Sequence, residues 1–363
     1  MKNPPNSGPR ILVSGWVGAA NIGDELIFRS LVAKLQGRGV QILVMSTNPD
    51  ETQRVHGVDA VGWYDAPGVT RAVAGSDAVI FGPGGLLQDE TSIWNLPAHL
   101  HRVFAAKMAR TPILGLGLGV GPLGSGTSRR LVRTALRRTP ITVRDQESAT
   151  LAAECGLSNV TVTADLAYGL PIPSAEPADR IVASFRPFSG GGGVVPARRS
   201  DLRSLAPDDR VLAAASALED LSRRTSLPVY LLAFEAERDA LYHDLIADHM
   251  TAPVTTGVAT VDTVFDEVAG SRLVVAMRYH AVVAAIMASR PAVVVGYSPK
   301  VRPAAHLLGR AGLLIANDPI AYRDIADGAA LLGRDADVAV AREERRSAEI
   351  GNDVALDQFL SSL

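Results

Sequence analysis

At 363 residues, with 47% apolar and 20% charged residues, the chain is long enough for about two globular domains with ordinary cores. A net charge of -2 argues against a nucleic-acid binder, and a lone cysteine, Cys155, leaves no internal disulfide and no thiolate metal cage. The N-terminal MKNPPNSGPR lacks the apolar core of a signal peptide, and no apolar run reaches the ~18 residues that span a bilayer. The expectation is a cytoplasmic protein, able at most to work against the inner face of the cell membrane.

Residues Ile11 to Ser14 form a short apolar run that breaks into Gly15–Glu25, after which Leu26, Ile27, Leu31, Val32 and Leu35 keep helical spacing. A strand, a glycine-rich loop and a helix follow from that pattern. Gly15, Gly18 and Gly23 let a ligand approach backbone, and Asn21, Asp24 and Glu25 gather polar groups at the helix start. Carboxylates there either cap the helix or hold a sugar hydroxyl.

Gln41–Ser46 and Ala78–Phe81 read as the next strands, the latter opening onto Gly82-Pro83-Gly84-Gly85-Leu86-Leu87-Gln88-Asp89. Backbone N–H groups at Gly84 and Gly85 could cradle a phosphate or a sugar, with Gln88 and Asp89 adding polar tips. Thr111–Val120 is a further strand. Gly119 to Gly124 fits G-x-G-x-x-G, and Asp145 follows, but the strand is central rather than first in its domain, which gives a dinucleotide site little support. The helix predicted over 127–138 carries Arg129, Arg130, Arg133, Arg137 and Arg138, either a solvated face or a patch for lipid headgroups or a pyrophosphate. Ile141–Val143 leads to Arg144-Asp145, and Val160–Thr163 leads to Ala164-Asp165. Strands alternating with helices predict a parallel sheet covered on both faces, and 170–177 reads as a linker.

A second alternation begins at Arg180–Phe185, which ends on Arg186. Gly190 to Gly193 then form a loop that closes over a site or merely connects, with Arg198 and Arg199 beyond it. After the strand Pro228–Phe234 and helices over 239–250 and 261–269 comes the strand Ser271–Ala276 and the step Met277-Arg278-Tyr279-His280. A helix to Ser289, the strand Ala292–Gly296, the step Tyr297–Lys300, a strand Leu313–Ala316 and a charged helix over 339–363 complete the chain. Arg186, Arg278, His280 and Lys300 all fall at carboxyl ends of strands, where α/β sheets bind ligands, and Arg278 and His280 are two residues apart. Together they predict a cationic pocket for a small, doubly anionic ligand.

GWVGAANIGDE (15–25), GPGGLLQDETS (82–92), LGLGVGPL (116–123), VRDQES (143–148), VTVTAD (160–165), SFRPF (184–188), MRYH (277–280) and VVGYSPKV (294–301) follow one another as in the polysaccharide pyruvyl transferase family, which the chain resembles. The resemblance implies an α/β fold of two Rossmann-like domains with parallel sheets facing a cleft, GT-B-like. Residues 1–172 would form the acceptor side, 173–335 the donor side and 336–363 a helical segment. It further implies phosphoenolpyruvate as donor, a saccharide acceptor and a pyruvate ketal as product, with no cofactor and no metal, in the biosynthesis of a cell-surface polysaccharide or glycoconjugate. On this reading Arg278 and Arg186 grip the donor, helped by Lys300 and Tyr279, His280 is the general acid, and Asp24 or Glu25 orients or deprotonates the acceptor. Gly18, Asn21, Gly84, Gly85, Gln88 and Asp89 complete the substrate contacts. The basic helix would suit a lipid-linked acceptor and peripheral membrane association. IWNLPAHLH (93–101) departs from the family pattern by lacking paired tyrosines, as does Pro83 in the glycine run. The rivals are a GT-B-like glycosyltransferase with a nucleotide-sugar donor, which needs a carboxylate on the donor helix to pair a ribose, and a non-catalytic saccharide- or anion-binding protein.

Overall fold

The computed structural model describes residues 8–89, 94–175, 178–187, 209–298 and 301–363. Lys300, the glycine run 190–193, Arg198 and Arg199 lie outside the described residues.

Short apolar runs become parallel strands because burial on both faces rewards continuous hydrophobicity. In the first half these are β1 (Arg10–Val17), β2 (Gln41–Ser46), β3 (Asp59–Gly62), β4 (Ala78–Phe81), β5 (Gly84–Leu87), β6 (Ile113–Val120), β7 (Ile141–Val143) and β8 (Val160–Val162). They pair in the order β3-β2-β1-β4-β6-β7-β8, with β5 beside β6, every pair parallel. Between them run α1 (Ile22–Gln36), α2 (Pro49–His56), α3 (Ala66–Ala74), α4 (Asn95–Ala109), α5 (Gly126–Leu136) and α6 (Gln146–Glu154).

The second half builds a parallel sheet of its own from β9 (Ile181–Ser184), β10 (Val229–Ala233), β11 (Val254–Val258), β12 (Leu273–Ala276), β13 (Ala292–Gly296) and β14 (Gly312–Ala316), in the order β11-β10-β9-β12-β13-β14. Its helices are α7 (Asp209–Thr225), α8 (Ala236–Ala247), α9 (Val264–Ala269), α10 (Tyr279–Met287) and α11 (Val301–Leu307), and the chain closes with α12 (Asp335–Leu360).

The stretch expected to be a phosphate-binding loop, Gly84–Leu87, is instead β5: Gly84 pairs Leu118 and Leu87 pairs Val120. Its backbone is therefore largely committed to the sheet. Gly84 is buried against Ile27, and of the two glycines only Gly85 reaches the cleft.

Strand order reverses between β1 and β4 in the first sheet and between β9 and β12 in the second, and such switch points open crevices at the carboxyl ends of the strands. Residues from both openings, Trp16 on β1 and Arg186 and Arg278 after β9 and β12, line one cavity. Backbone contacts hold the halves in register there: the Ile22 N–H donates to Phe234 O at 3.0 Å, and Asn21 bridges Glu235. One apolar core runs from Leu26, Ile27 and Leu31 of α1 into Val282, Val283 and Ile286 of α10.

Helix α12 returns from the second sheet to the first. Asn352, fully buried, accepts from the hydroxyls of Thr142 (2.7 Å) and Thr163 (2.9 Å) and donates to Ala164 O at 3.0 Å. Lys34 of α1 meets Glu349 at 3.1 Å and Asp353 at 2.6 Å. Burial pushes the Glu349 carboxyl up to about 7 against the opposing pull of Lys34. A folded-state value above the ordinary 4.5 favours the protonated acid. The stability it confers is complete below pH 4.5 and lost as pH rises through about 7. At about 1.4 kcal/mol per unit, the charged form costs on the order of 2–4 kcal/mol. Glu349→Gln should therefore flatten the fall in unfolding free energy between pH 5 and pH 8. Denaturant titrations of both proteins at the two pH values check this, and parallel slopes would refute it.

Candidate active site

The cavity between the two sheets has a volume of about 350 Å³. Its first-half wall comes from Trp16, Asn21, Asp24, Gly85, Gln88, Asn95, His99 and Arg144, and its second-half wall from Arg186, Glu235, Arg238, Arg278, Tyr279, His280 and Tyr297.

The step after β12 sets the geometry. Arg278 is the N-cap residue of α10 with extended backbone (φ -77°, ψ 136°), so Tyr279 and His280 open the helix at the crevice. From Ala281 to Met287 the helix is wholly buried, which anchors His280 at its start. The His280 ring lies on Gly23 of α1, where a Cβ would stand 2.0 Å from Nδ1. Only a residue without a side chain seats the imidazole there. Gly23→Ala suits a helix better by propensity but must displace the ring. We expect a loss of roughly 10²-fold in turnover with the thermal midpoint retained, as steady-state rates and a melting curve would show. Unchanged turnover would mean that the ring position does not matter.

His280 Nε2 stands 3.7 Å from Oδ2 of Asp165, within ion-pair reach and beyond hydrogen-bond distance, and has no hydrogen-bond partner. Asp165 follows β8, so acid and imidazole come from opposite halves of the chain. Burial alone would push the Asp165 carboxyl up. His280, Arg144 and the Ala167 N–H outweigh it and hold the group below its ordinary value. Arg144 Nη1 lies 3.6 Å from the same carboxylate, and its guanidinium sits 3.9 Å over the Tyr279 ring. Burial disfavours the Arg144 charge, but Tyr279, Asp165 and Asp145 more than compensate. Burial also raises the Tyr279 phenol well above its ordinary value, so it is a neutral hydroxyl. The ring of Tyr279 meets that of His280 edge to face, centroids 5.0 Å apart. Asp165 and Arg144 were visible at predicted strand ends, but nothing in their spacing tied them to His280.

Arg278 departs from its expected role as an open fork for an anion. Its Nε donates to Asp239 at 3.0 Å and its Nη2 to Glu235 at 2.7 Å and to the other Asp239 oxygen. Asp239 is fully buried and also accepts from the Phe234 and Glu235 N–H groups. The fork thus faces its own carboxylates. Arg186 and Arg238 line the cavity with Nε atoms that are buried and lack a hydrogen-bond partner. Arg186 stacks 4.9 Å over Tyr297, and Arg238 comes within 3.6 Å of Glu235. Arg238 stands in the first turn of α8, a few residues past the strand end where the sequence points to a ligand site.

Three expected substrate contacts are structural instead. Glu25 is buried, accepts from the Gly18 N–H at 2.8 Å and is hydrogen-bonded to His56 Nε2 at 2.7 Å, and it does not line the cavity. Gly18, at φ +80°, lies where a Cβ would meet Ser46 Oγ at 2.2 Å, so it serves the turn. Asp89 braces the loop before α5 by accepting from the Gly124 N–H at 2.9 Å. Asp24 lines the cavity as expected from its place in the helix, and Asn21 Nδ2 donates to it at 2.7 Å. Arg129, Arg130 and Arg133 on α5 and Arg137 and Arg138 just past its end, the helix stopping at Leu136 and not 138, are exposed and stand apart from the cavity wall. Among the described residues no group of three His, Cys, Asp or Glu is placed to hold a metal ion, and no helix is long and apolar enough to cross a membrane.

Two parallel α/β sheets with a cationic, histidine-bearing cavity between their switch points make a GT-B-like architecture. The family model "Polysaccharide pyruvyl transferase" matches residues 21–299, and the chain belongs to that family. No curated protein matches the sequence. Solved structures share the fold at low identity. UDP-GlcNAc 2-epimerase from Neisseria meningitidis bound to UDP-GlcNAc is 9% identical, with a TM-score of 0.58 over 98% of this chain and 100% of that one. Alr3699/HepE from Anabaena in complex with UDP and glucose is 14% identical, with a TM-score of 0.60 over 98% and 100%. MurG from Acinetobacter baumannii is 14% identical, with a TM-score of 0.53 over 96% and 99%.

Proposed function

We propose that the protein moves the enolpyruvyl unit of phosphoenolpyruvate onto two hydroxyls of a saccharide, releasing phosphate and leaving a cyclic pyruvate ketal. The observation that carries this reading is the set of unpartnered nitrogens around one cavity: Arg186 Nε, Arg238 Nε and His280 Nε2 are all buried without hydrogen bonds. Buried donors without partners are costly, and a ligand with both carboxylate and phosphate satisfies them together.

The chemistry follows from the donor. Imidazolium at His280 gives a proton to the methylene carbon, which becomes the methyl group. The resulting cation-like C2 is attacked by one sugar hydroxyl. Departure of phosphate regenerates such a centre, and the second hydroxyl closes the ring. Of the two hydroxyl protons, one leaves with phosphate and the other restores His280. Asp165 does not touch the substrate; its carboxylate stabilises the imidazolium across 3.7 Å and is a positioning residue. Asp24, which lines the cavity and accepts from Asn21, would receive an acceptor proton on this reading, in preference to Glu25, which is off the cavity wall.

A nucleotide-sugar donor fits less well. After His280, α10 continues as Ala-Val-Val-Ala-Ala-Ile-Met, without a carboxylate to pair a ribose. Calorimetric titration with phosphoenolpyruvate and, separately, with UDP-sugars tests the donor. Phosphoenolpyruvate should bind, and Arg186→Ala should weaken it at least tenfold. Binding of a UDP-sugar alone would make the protein a glycosyltransferase. The acceptor, whether free or lipid-linked, and a place of work at the inner membrane face belong to the same proposal.

A further inference from the structure

The cavity is divided by charge. Its second-half wall carries Arg186, Arg238, Arg278 and His280, whereas among the described residues Arg144 is the one cation the first-half wall contributes, and its charge is met by Asp145 and Asp165. What the first half otherwise offers is an indole, an imidazole, amides and the Asp24 carboxylate, whose charge disfavours an anionic sugar.

Trp16 is half-buried at the end of β1 and lines the cavity. Its ring is wedged edge to face against Trp63 (5.2 Å, 85°) and His99 (5.9 Å, 72°), and Trp63 in turn meets His99 at 5.5 Å. Beneath this cluster the Arg102 guanidinium sits 3.6 Å over Trp63 and donates to Trp63 O at 2.7 Å. Rings so interlocked present a rigid apolar surface that loses little entropy on binding.

His99 is 2% exposed, yet its Nδ1 has no hydrogen-bond partner and the residue lines the cavity. Burial, reinforced by Arg102 and His101, lowers it to about 4, so near neutral pH the ring is uncharged, with one donor and one acceptor. Asn95 lies four residues earlier on α4, on the same helix face, and lines the cavity beside it. A rigid aromatic face bordered by uncharged groups that both donate and accept is complementary to a pyranose, which has apolar C–H faces and a hydroxyl rim.

We infer that Trp16, His99 and Asn95 form the acceptor subsite and that it takes a neutral pyranose, the ring lying on the indole and a hydroxyl meeting His99. This rests on the transferase reading above and names the substrate class for one half of its cavity. Among the described residues an acidic sugar would find no unmatched cation on this wall.

All three tryptophans of the chain are close at hand, since Trp94 is the residue before α4, so intrinsic fluorescence reports occupancy. The experiment screens neutral and uronic-acid glycosides against the full-length protein, with and without phosphoenolpyruvate. The best binder is then titrated into wild type, Trp16→Ala, Trp16→Phe and His99→Gln, and phosphoenolpyruvate is titrated into each by calorimetry. A neutral glycoside should bind. Trp16→Ala should weaken it 10- to 100-fold, Trp16→Phe should stay within several-fold of wild type by keeping an aromatic face, and His99→Gln should lose about tenfold. Affinity for phosphoenolpyruvate should stay within twofold throughout. Glycoside affinity unchanged in Trp16→Ala and His99→Gln, or a wild type that binds phosphoenolpyruvate but prefers acidic glycosides or takes none, overturns the subsite. Failure of wild type to bind phosphoenolpyruvate overturns the donor assignment instead, while tryptophan-dependent glycoside binding would still uphold the subsite.

Discussion

The His280→Ala protein is expected to bind phosphoenolpyruvate and form no ketal. Removing a positioned general acid costs typically 10²–10⁴-fold in rate, whereas Arg186 and Arg238, the proposed grips of the donor's two anionic groups, stay on the cavity wall. Asp165→Asn is expected to lower turnover by a smaller factor, roughly 10- to 100-fold by analogy with lost partners that orient a catalytic histidine, with donor affinity unchanged. Phosphate release and calorimetry on the same preparations measure both quantities. Donor binding lost equally in His280→Ala would make the histidine an anion-binding group and remove its role as acid.

Arg278→Ala is expected to damage the fold more than the site. Its guanidinium neutralises Asp239, which is 0% exposed, and Glu235. Deleting one member of a buried pair leaves the other charge without a partner, typically at a cost of about 3–5 kcal/mol. Denaturant unfolding should show that loss, and Arg278→Ala combined with Asp239→Ala should recover part of it, a coupling on the order of 1–3 kcal/mol between contacting residues. A variant as stable as wild type that no longer binds donor would return Arg278 to the anion-binding role its position in the sequence implied.

Much of the sheet was legible because buried parallel strands are written as unbroken apolar runs. Ala78–Phe81, Ile141–Val143 and Ala292–Gly296 begin and end where the hydrophobicity does. Strands with weaker signatures were not: β5 begins with two glycines and looks like a loop until it pairs with β6, and β11, Val-Thr-Thr-Gly-Val, is a half-exposed edge. In the cavity, Arg186 and the Arg-Tyr-His step could be found because carboxyl ends of strands and the start of a helix are local features. The residues that complete or neutralise them are far away in the chain. Asp165 lies in the other half from His280, Asp239 and Glu235 precede Arg278 by 39 and 43 residues, and His56 reaches Glu25 across 31.

The order of motifs along the chain was enough to determine the family and its α/β architecture, since apolar period, glycine placement and strand-end polar steps are properties of neighbouring residues. The tertiary structure alone decided which charges face the cavity and which face each other. A carboxylate or guanidinium is available to a ligand only if no partner reaches it, and partners are assigned by packing across sheets and not by distance along the sequence.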